Sequence, residues 1–492
     1  MATVFLNKLR FNWSAWHRRL GLVTCLGVVL WGISGMCHPI MSRLQPKPAE
    51  FSAPAAHLDL TSAMSPQQVL ACHQITQFRR LNVVAVDSKA VYRVVTDSNA
   101  PARYYAAADC KELAAGDEYY AREFASHFTG RPMSEITSAH FLTQFDDEYL
   151  FVNRLLPVWR IEFAGPDHLR AYIDTDQARL ATLIDGRRMA LGQIFRFGHN
   201  WAFLDGLPRL QLAVMAVVLG VALFSAVSGL TLYVRRRRHS RERLAGQPLR
   251  RWHRRVGLLV SLTTLTFVGS GLFHLVMSYS QQQEKPIHPS DAAISAASLD
   301  ERAWQHVAHH PASRIDLVAS PAGVQWLLRH DMPQSKVAML AHAEHAMPAM
   351  QSAAVLLPAG KELVTPTDIL ALAKSQASAY AGLPEAKIVD SELVTRFGGE
   401  YGFIFKRLPV VKVVFDAPGH PRYYIEPATG ALAARLNDSD AVEGWTFAYV
   451  HKWAWLDAHK DLRDILVMLF ALGNIVIALL GVWLFARMDT RH

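Results

Sequence analysis

Trp16-His17-Arg18-Arg19-Leu20-Gly21-Leu22 returns later in the chain as Trp252-His253-Arg254-Arg255-Val256-Gly257-Leu258, at an offset of 236 in the numbering. The copy runs on without a gap: Ser34-Gly35 returns as Ser270-Gly271, His38 as His274, and Met41-Ser42 as Met277-Ser278. Agreement held in register over this length marks an internal duplication. A second block repeats at an offset of 252, where His199-Asn200-Trp201-Ala202-Phe203-Leu204-Asp205 answers to His451-Lys452-Trp453-Ala454-Trp455-Leu456-Asp457. Glu148-Tyr149, Leu156-Pro157-Val158, His168, Arg170, Tyr172 and Ile173 recur at that offset as Glu400-Tyr401, Leu408-Pro409-Val410, His420, Arg422, Tyr424 and Ile425. The offset grows between the two blocks, so the second half has gained a short insertion upstream of the later one.

Apolar residues make up 51% of the 492-residue chain although 19% is charged, a balance that fits a membrane protein with sizeable soluble parts. The apolar excess is localised in four runs near 20–41, 210–234, 256–279 and 464–486. Each is long enough, at about 20 residues or more, to cross a bilayer, and between their end residues none carries Asp, Glu, Lys or Arg. The first run, preceded by Arg10, Arg18 and Arg19, has the outline of a secretory signal peptide. Its copy near 256–279 is internal and must be retained, so the first run is expected to remain as a span.

Arginine placement sets the expected topology. The segment 235–255 carries ten arginines against Glu242 alone, which predicts a cytoplasmic loop. The chain then divides into a cytoplasmic N-terminus and first span (1–44), a periplasmic domain (45–209), the second span (210–234), the basic loop (235–255), the third span (256–279), a second periplasmic domain (280–463), the fourth span (464–486) and a cytoplasmic tail (487–492). Both termini lie inside, and the net charge of +9 is a topology signal. Nucleic-acid binding by the arginine run is the alternative, but a basic loop between two spans reads as positive-inside charge, so no nucleic-acid partner is expected.

Both soluble segments read as α+β. Val158-Trp159-Arg160-Ile161-Glu162-Phe163 and Val410-Val411-Lys412-Val413-Val414-Phe415 have strand composition, with turns at Gly165-Pro166-Asp167 and Pro418-Gly419 leading to Tyr172-Ile173-Asp174 and Tyr424-Ile425-Glu426. A helix is expected near 366–380, opening at Thr365-Pro366 or Thr367-Asp368, with Pro384 behind it.

The repeated Trp-His-Arg-Arg-x-Gly-Leu entry, the His-x-Trp-Ala-x-Leu-Asp block and the strand-turn-strand ending Tyr-Ile-Asp/Glu together resemble the PepSY-associated transmembrane helix family, over nearly the whole chain. That family comprises iron-regulated bacterial inner-membrane proteins, siderophore reductases of the ferrioxamine-reductase type among them. The resemblance implies a four-helix transmembrane bundle, two PepSY-like periplasmic domains, haem b and electron transfer across the inner membrane. The residue pattern by itself implies paired histidine sites.

Neutral imidazole is a standard axial ligand of haem, and an ionisable group inside a span is costly unless it has a role. With a pseudo-two-fold axis along the membrane normal, His17 would face His253 near the cytoplasmic surface and His38 would face His274 near the outer one, as axial ligands of two haem irons. His17 and His38 stand 21 positions apart, about 31 Å along a helix, a long gap that Trp31 and Phe267 would shorten. His199 and His451, on amphipathic lead-ins to spans two and four, offer a different outer ligand pair or the lining of a substrate site. An interfacial histidine beside Trp and Arg also serves as a plain membrane anchor, which is the competing reading for His17 and His253. Arg18, Arg19, Arg254 and Arg255 suit either haem propionates or lipid phosphate. Gly27, Gly32, Gly35, Gly257, Gly269, Gly271, Gly229 and Gly481 would admit either a flat macrocycle or a close helix.

Cys72 and Cys110 fall in the first outer segment, where a disulfide is permitted, while Cys25 and Cys37 lie in span one. Met339, His342, His345, Met347 and Met350 combine imidazole and thioether in a set that suits reduced copper, against the plainer reading of an Ala-rich loop. No dinucleotide fingerprint or P-loop occurs, so electrons must come from a cytoplasmic reductase or a membrane quinol. The expected function is reduction of a periplasmic acceptor, Fe(III)-siderophore above all, by a haem-dependent oxidoreductase. A sensing, protease-restraining or scaffolding PepSY protein is the main alternative. An iron or siderophore permease is disfavoured by the lack of charged residues within the spans.

Overall fold

The computed structural model describes residues 12–236, 246–281, 292–320, 323–331, 352–359 and 369–489. The Met339–Met350 cluster lies outside these residues, as does the start of the helix expected near 366, which is seen from Ile369 to Ala381. The chain forms two compact units: a helix unit from Met1–Gln45, Arg187–Lys285 and Ser439–His492, and a sheet unit from Pro46–Gly186 and Pro286–Asp438.

Four helices of the first unit are long and apolar enough to cross a membrane: Trp13–Leu44, Pro208–Arg235, Pro248–Gln281 and Lys460–Asp489. Asn12 opens the first by accepting the Ala15 N–H at 3.1 Å, and prolines open the second and third, where a missing N–H costs nothing. The first and third helices each pack against the second and fourth, which sets first opposite third across the bundle. The fourth helix begins ahead of the apolar run, and its first turns carry Asp461, Arg463 and Asp464. Arg43 at the end of the first helix reaches Asp461 at 2.7 Å and Asp464 at 2.8 Å, so these charges are paired where the apolar stretch begins. Hydroxyls within the helices turn back onto their own carbonyls, Thr24 onto Leu20 and Thr264 onto Val260, and Thr264 also donates across to Asn474 on the fourth helix.

The sheet unit contains two antiparallel four-stranded sheets with the same strand order. The first runs Ile136–Leu142, Val158–Phe163, Arg170–Asp174, Arg179–Ile184; the second runs Ile388–Val394, Val410–Phe415, Arg422–Glu426, Ala431–Leu436. Every strand boundary recurs at the offset of 252, as do the register irregularities at Ile136/Ser138 and Ile388/Asp390. The helix Gly116–Thr129 packs Tyr120, Phe124 and Phe128 on Trp159, Ile161 and Phe163. Ile369–Ala381 uses Ala373 and Ala377 on Val411, Val413 and Phe415.

The two soluble segments do not fold apart. Strand Arg80–Val86 of the first pairs antiparallel with Arg314–Ser320 of the second, placing Asn82 opposite Asp316 and closing a seven-stranded sheet across both. Charges are buried at this seam. Asp316 is fully buried, 2.7 Å from Asn82 Nδ2, Arg314 Nε and Arg329 Nη2, while Asp176 holds Arg93 at 2.9 Å and also Arg80. Glu426, equally enclosed, takes Arg179 and Arg407 at 2.6 Å each. Such pairs contribute little net stability but are costly to break, which favours this one pairing of the halves over others. Cys72 and Cys110 are joined by a disulfide in the same unit.

Candidate functional site

His17 and His253 meet across the bundle, their ring centres 6.3 Å apart and their planes at 69°. His199 and His451 meet in the same way at 6.5 Å and 79°. The second pair stands on the lead-ins to the second and fourth long helices. There Gly186–Phe195 and Asp438–Trp445 run on into π-helical turns, Arg196–Asn200 and Thr446–His451, each followed by a tryptophan in the left-handed region, Trp201 at φ 56° and Trp453 at φ 58°. A π turn widens the helix by one residue and re-aims the side chains after it, a device that recurs at functional positions. Left-handed backbone at a bulky residue persists only where its surroundings hold it. Trp201 stacks on Trp31 at 5.1 Å and Trp453 on Phe267 at 5.5 Å, which supplies that hold.

Hydrogen bonds fix the tautomers. Ser34 Oγ donates to the Leu30 carbonyl at 2.7 Å, which leaves its oxygen to accept from Nδ1–H of His199 at 3.2 Å. Ser270 repeats this, donating to Thr266 and accepting from His451 Nδ1 at 3.0 Å. The Ser225 carbonyl, 3.1 Å from His17 Nδ1, can only accept, so that nitrogen also carries its proton. In the neutral form of these three rings Nε2 is therefore the nitrogen left with a lone pair, the state that a metal ligand requires. Burial, then the nearness of His38 and His274, lowers the His199 imidazole to about 4; burial, then His199 and His274, lowers His451 to about 3. Both are neutral at physiological pH. His253 Nδ1 is buried without a hydrogen-bond partner among the described residues.

The spacing of each pair suits a single metal between two imidazoles. Metal–imidazole bonds of about 2.0–2.1 Å, with roughly 1.1 Å more from each nitrogen to its ring centre, put the two centres about 6.3 Å apart. Glycines keep the rings clear. A Cβ on Gly229 would lie 3.0 Å from His17 Cε1 and one on Gly481 3.5 Å from His253 Cε1, two positions related by the offset of 252. Gly271 borders His451 at 3.8 Å. Gly27, Gly32 and Gly257 instead face Val218, Ile475 and Ile477 and serve helix packing, while Gly35 and Gly269 meet open space.

The ring contacts of His38 and His274 run elsewhere. His38 lies 6.1 Å from Phe195, His274 stacks on Phe447 at 4.3 Å, and His274 Nδ1 pairs with Glu443. Phe195 and Phe447 stack in turn on His199 and His451, which gives a row of six rings, His38, Phe195, His199, His451, Phe447 and His274, with matching halves. Ser34 stands 17 positions after His17, so the two close pairs are separated by about 25 Å along the first helix, with Trp31 and Phe267 adjoining the second pair. Arg254 lies 4.4 Å over the Tyr233 ring, and Arg18 donates to Ser14.

The sequence reading passed over the histidine anchors. Ser34 and Ser270 stood in the repeat but carried no sign of which side chain they would meet; Ser225 and Ser228, the latter with its Oγ 3.0 Å from His17 Nδ1, have Ile477 and Leu480 as counterparts and left no repeat signal. Neither family models nor curated proteins give a match to this chain.

Proposed function

We propose that this chain is an internally duplicated haem protein of the bacterial inner membrane that passes electrons to a periplasmic acceptor, Fe(III)-siderophore foremost. The observation that carries the reading is the pair of pairs: two sets of facing imidazoles toward opposite ends of a four-helix unit, 6.3 and 6.5 Å between centres. His17 and His253 would hold one haem b, and His199 and His451 the other. Bound haem supplies a one-electron Fe(III)/Fe(II) couple whose potential the protein tunes through ligands, hydrogen bonds and burial. Ser34, Ser270 and the Ser225 carbonyl orient the imidazoles and raise their basicity. Gly229 and Gly481 leave space at one pair, and the aromatic row encloses the other and keeps water from it.

The basic segment 235–255 supports cytoplasmic termini, and the Cys72–Cys110 disulfide supports an oxidising compartment for the sheet unit, as the periplasm is. The two matched four-stranded sheets, each with one helix, are the PepSY-like domains of this reading. Reduction to Fe(II) favours release because the softer, less charged ion suits a chelator's hard oxygens less well. The electron donor is a cytoplasmic reductase or a membrane quinol.

Absorption spectra of the oxidised and dithionite-reduced protein, with a pyridine haemochrome count, test the proposal. Two b-type haems per chain, and reduction of a ferric hydroxamate by the pre-reduced protein, are expected. A chain that takes up no haem when haem is abundant would overturn it.

A further inference from the structure

The rings of the His17–His253 pair are duplicated, but what holds them is not. His17 Nδ1 lies 3.1 Å from the Ser225 carbonyl and 3.0 Å from Ser228 Oγ on the second long helix. Ser228 Oγ donates its own hydrogen to the Ser225 carbonyl at 2.8 Å, so its oxygen is left to accept, and the His17 Nδ1–H has two acceptors. On the fourth helix, at the offset of 252, the two serines become Ile477 and Leu480. Contacts bear out this correspondence. A Cβ on Gly21 would meet Ser225 Oγ at 3.6 Å, and one on Gly257, the repeat partner of Gly21, would meet Ile477 Cδ1 at 3.4 Å. Apolar side chains therefore stand at His253 where serines stand at His17, and its Nδ1 is buried with no hydrogen-bond partner among the described residues. The fit is looser as well: a Cβ on Gly481 would lie 3.5 Å from His253 Cε1, against 3.0 Å from His17 Cε1 for one on Gly229. The His199–His451 pair lacks this inequality, since Ser34 and Ser270 hold both of its rings.

We propose that His17 and His253 are unequal ligands, His17 the fixed one and His253 the exchangeable one, so that a small neutral diatomic molecule can take the place of His253 when the iron is reduced. The inference rests on the haem reading above. A partner on the second ring nitrogen orients a ligating imidazole and makes it a stronger base, and His17 has that support while His253 does not. Ligation of His253 through Nε2 leaves its Nδ1–H buried and unpaired, a cost that release of the ring relieves. Ile477 and Leu480 offer no hydrogen bond to an incoming group, which favours a neutral diatomic over an anion that would have to give up its water there. The exchange breaks the bond from iron to His253 Nε2 and forms one to the diatomic, with no electron transferred. Ser228 is then a positioning residue, and Leu480 marks where the second half lacks one.

The test is a titration of the full chain, haem-loaded in nanodiscs and reduced with dithionite, with carbon monoxide. Absorption spectra follow the binding, and a pyridine haemochrome count is made on the same samples. About one carbon monoxide per chain is expected, with the other haem keeping its reduced spectrum. Leu480→Ser and Leu480→Thr, which put a hydroxyl at the place equivalent to Ser228, should weaken carbon monoxide binding about tenfold or more with haem content unchanged. Leu480→Ala, which removes the same bulk without adding an acceptor, should not weaken it. No carbon monoxide complex in a chain that holds two haems, a complex at both haems, or equal binding by the alanine and hydroxyl variants would overturn the inference and leave the haem reading standing. A chain without haem would remove both, and the haem count tells these failures apart.

Discussion

On the proposed haem reading, replacing the histidines two at a time separates the ligand pairs. Of the six candidates, His17–His253 and His199–His451 stand 6.3 and 6.5 Å apart between ring centres, the span of one metal between two rings. His38 and His274 lie one helical turn, about 6 Å, beyond Ser34 and Ser270 on the same helices. Alanine at both of these outer positions therefore keeps the His199–His451 pair and its serine anchors and removes only the two end rings of the row. His199→Ala with His451→Ala removes both imidazoles of one site, so haem content should fall from two to one per chain, and the same drop is expected for His17→Ala with His253→Ala. His38→Ala with His274→Ala should keep two. The assay is the pyridine haemochrome count on chains purified after expression with added haem, alongside gel filtration to show that each variant is folded. Loss of one haem on changing His38 and His274, with two retained on changing His199 and His451, would refute the geometric reasoning and make His38–His274 the outer pair.

Three further outcomes rest on particular contacts. Ser34→Ala or Ser270→Ala removes the acceptor of one ligand's Nδ1–H and should weaken haem affinity at that site about 10–100-fold, read by competitive haem transfer. Burial alone would raise the Glu426 carboxyl, but Arg179 and Arg407 overcome it and hold it at about 2, against an ordinary 4.5. A depressed carboxyl stabilises above its unfolded value and loses that contribution as pH falls, so about 3 kcal/mol should vanish between pH 4.5 and 2, and Glu426→Gln should flatten the melting temperature over that window. Opening the Cys72–Cys110 disulfide, with a sequence separation of 38, should destabilise the sheet unit by about 4 kcal/mol in chemical denaturation; an unchanged midpoint in Cys72→Ser with Cys110→Ser would contradict this.

The four long apolar helices were legible because an apolar run of this length has few other uses, and the strands because β-branched alternation bounded by turns is local information. Val158–Phe163 and Val410–Phe415 appear where expected. The fourth helix starts earlier than its apolar run, at Lys460, because Arg43 pairs with acidic residues that hydropathy alone would exclude. Among the candidate site residues, the repeat pointed to all six histidines and left the outer pair open between His38–His274 and His199–His451, since position along the chain was the only measure at hand. His199 and His451 lie in the π turns before Trp201 and Trp453, and no local propensity announces such a turn.

Hydropathy, periodicity and repeated blocks are written along one dimension, so the four apolar helices, the histidine positions and the strand composition could be read from the chain alone. Tertiary structure alone decided that Arg80–Val86 joins Arg314–Ser320 in one sheet, that Arg93 meets Asp176 and Arg179 meets Glu426, and that Ser34 and Ser270 orient His199 and His451. These side-chain contacts link positions far apart along the chain, 83 for Arg93 and Asp176 and 247 for Arg179 and Glu426. Their energy exists only after the apolar faces have brought the groups together and removed the water between them.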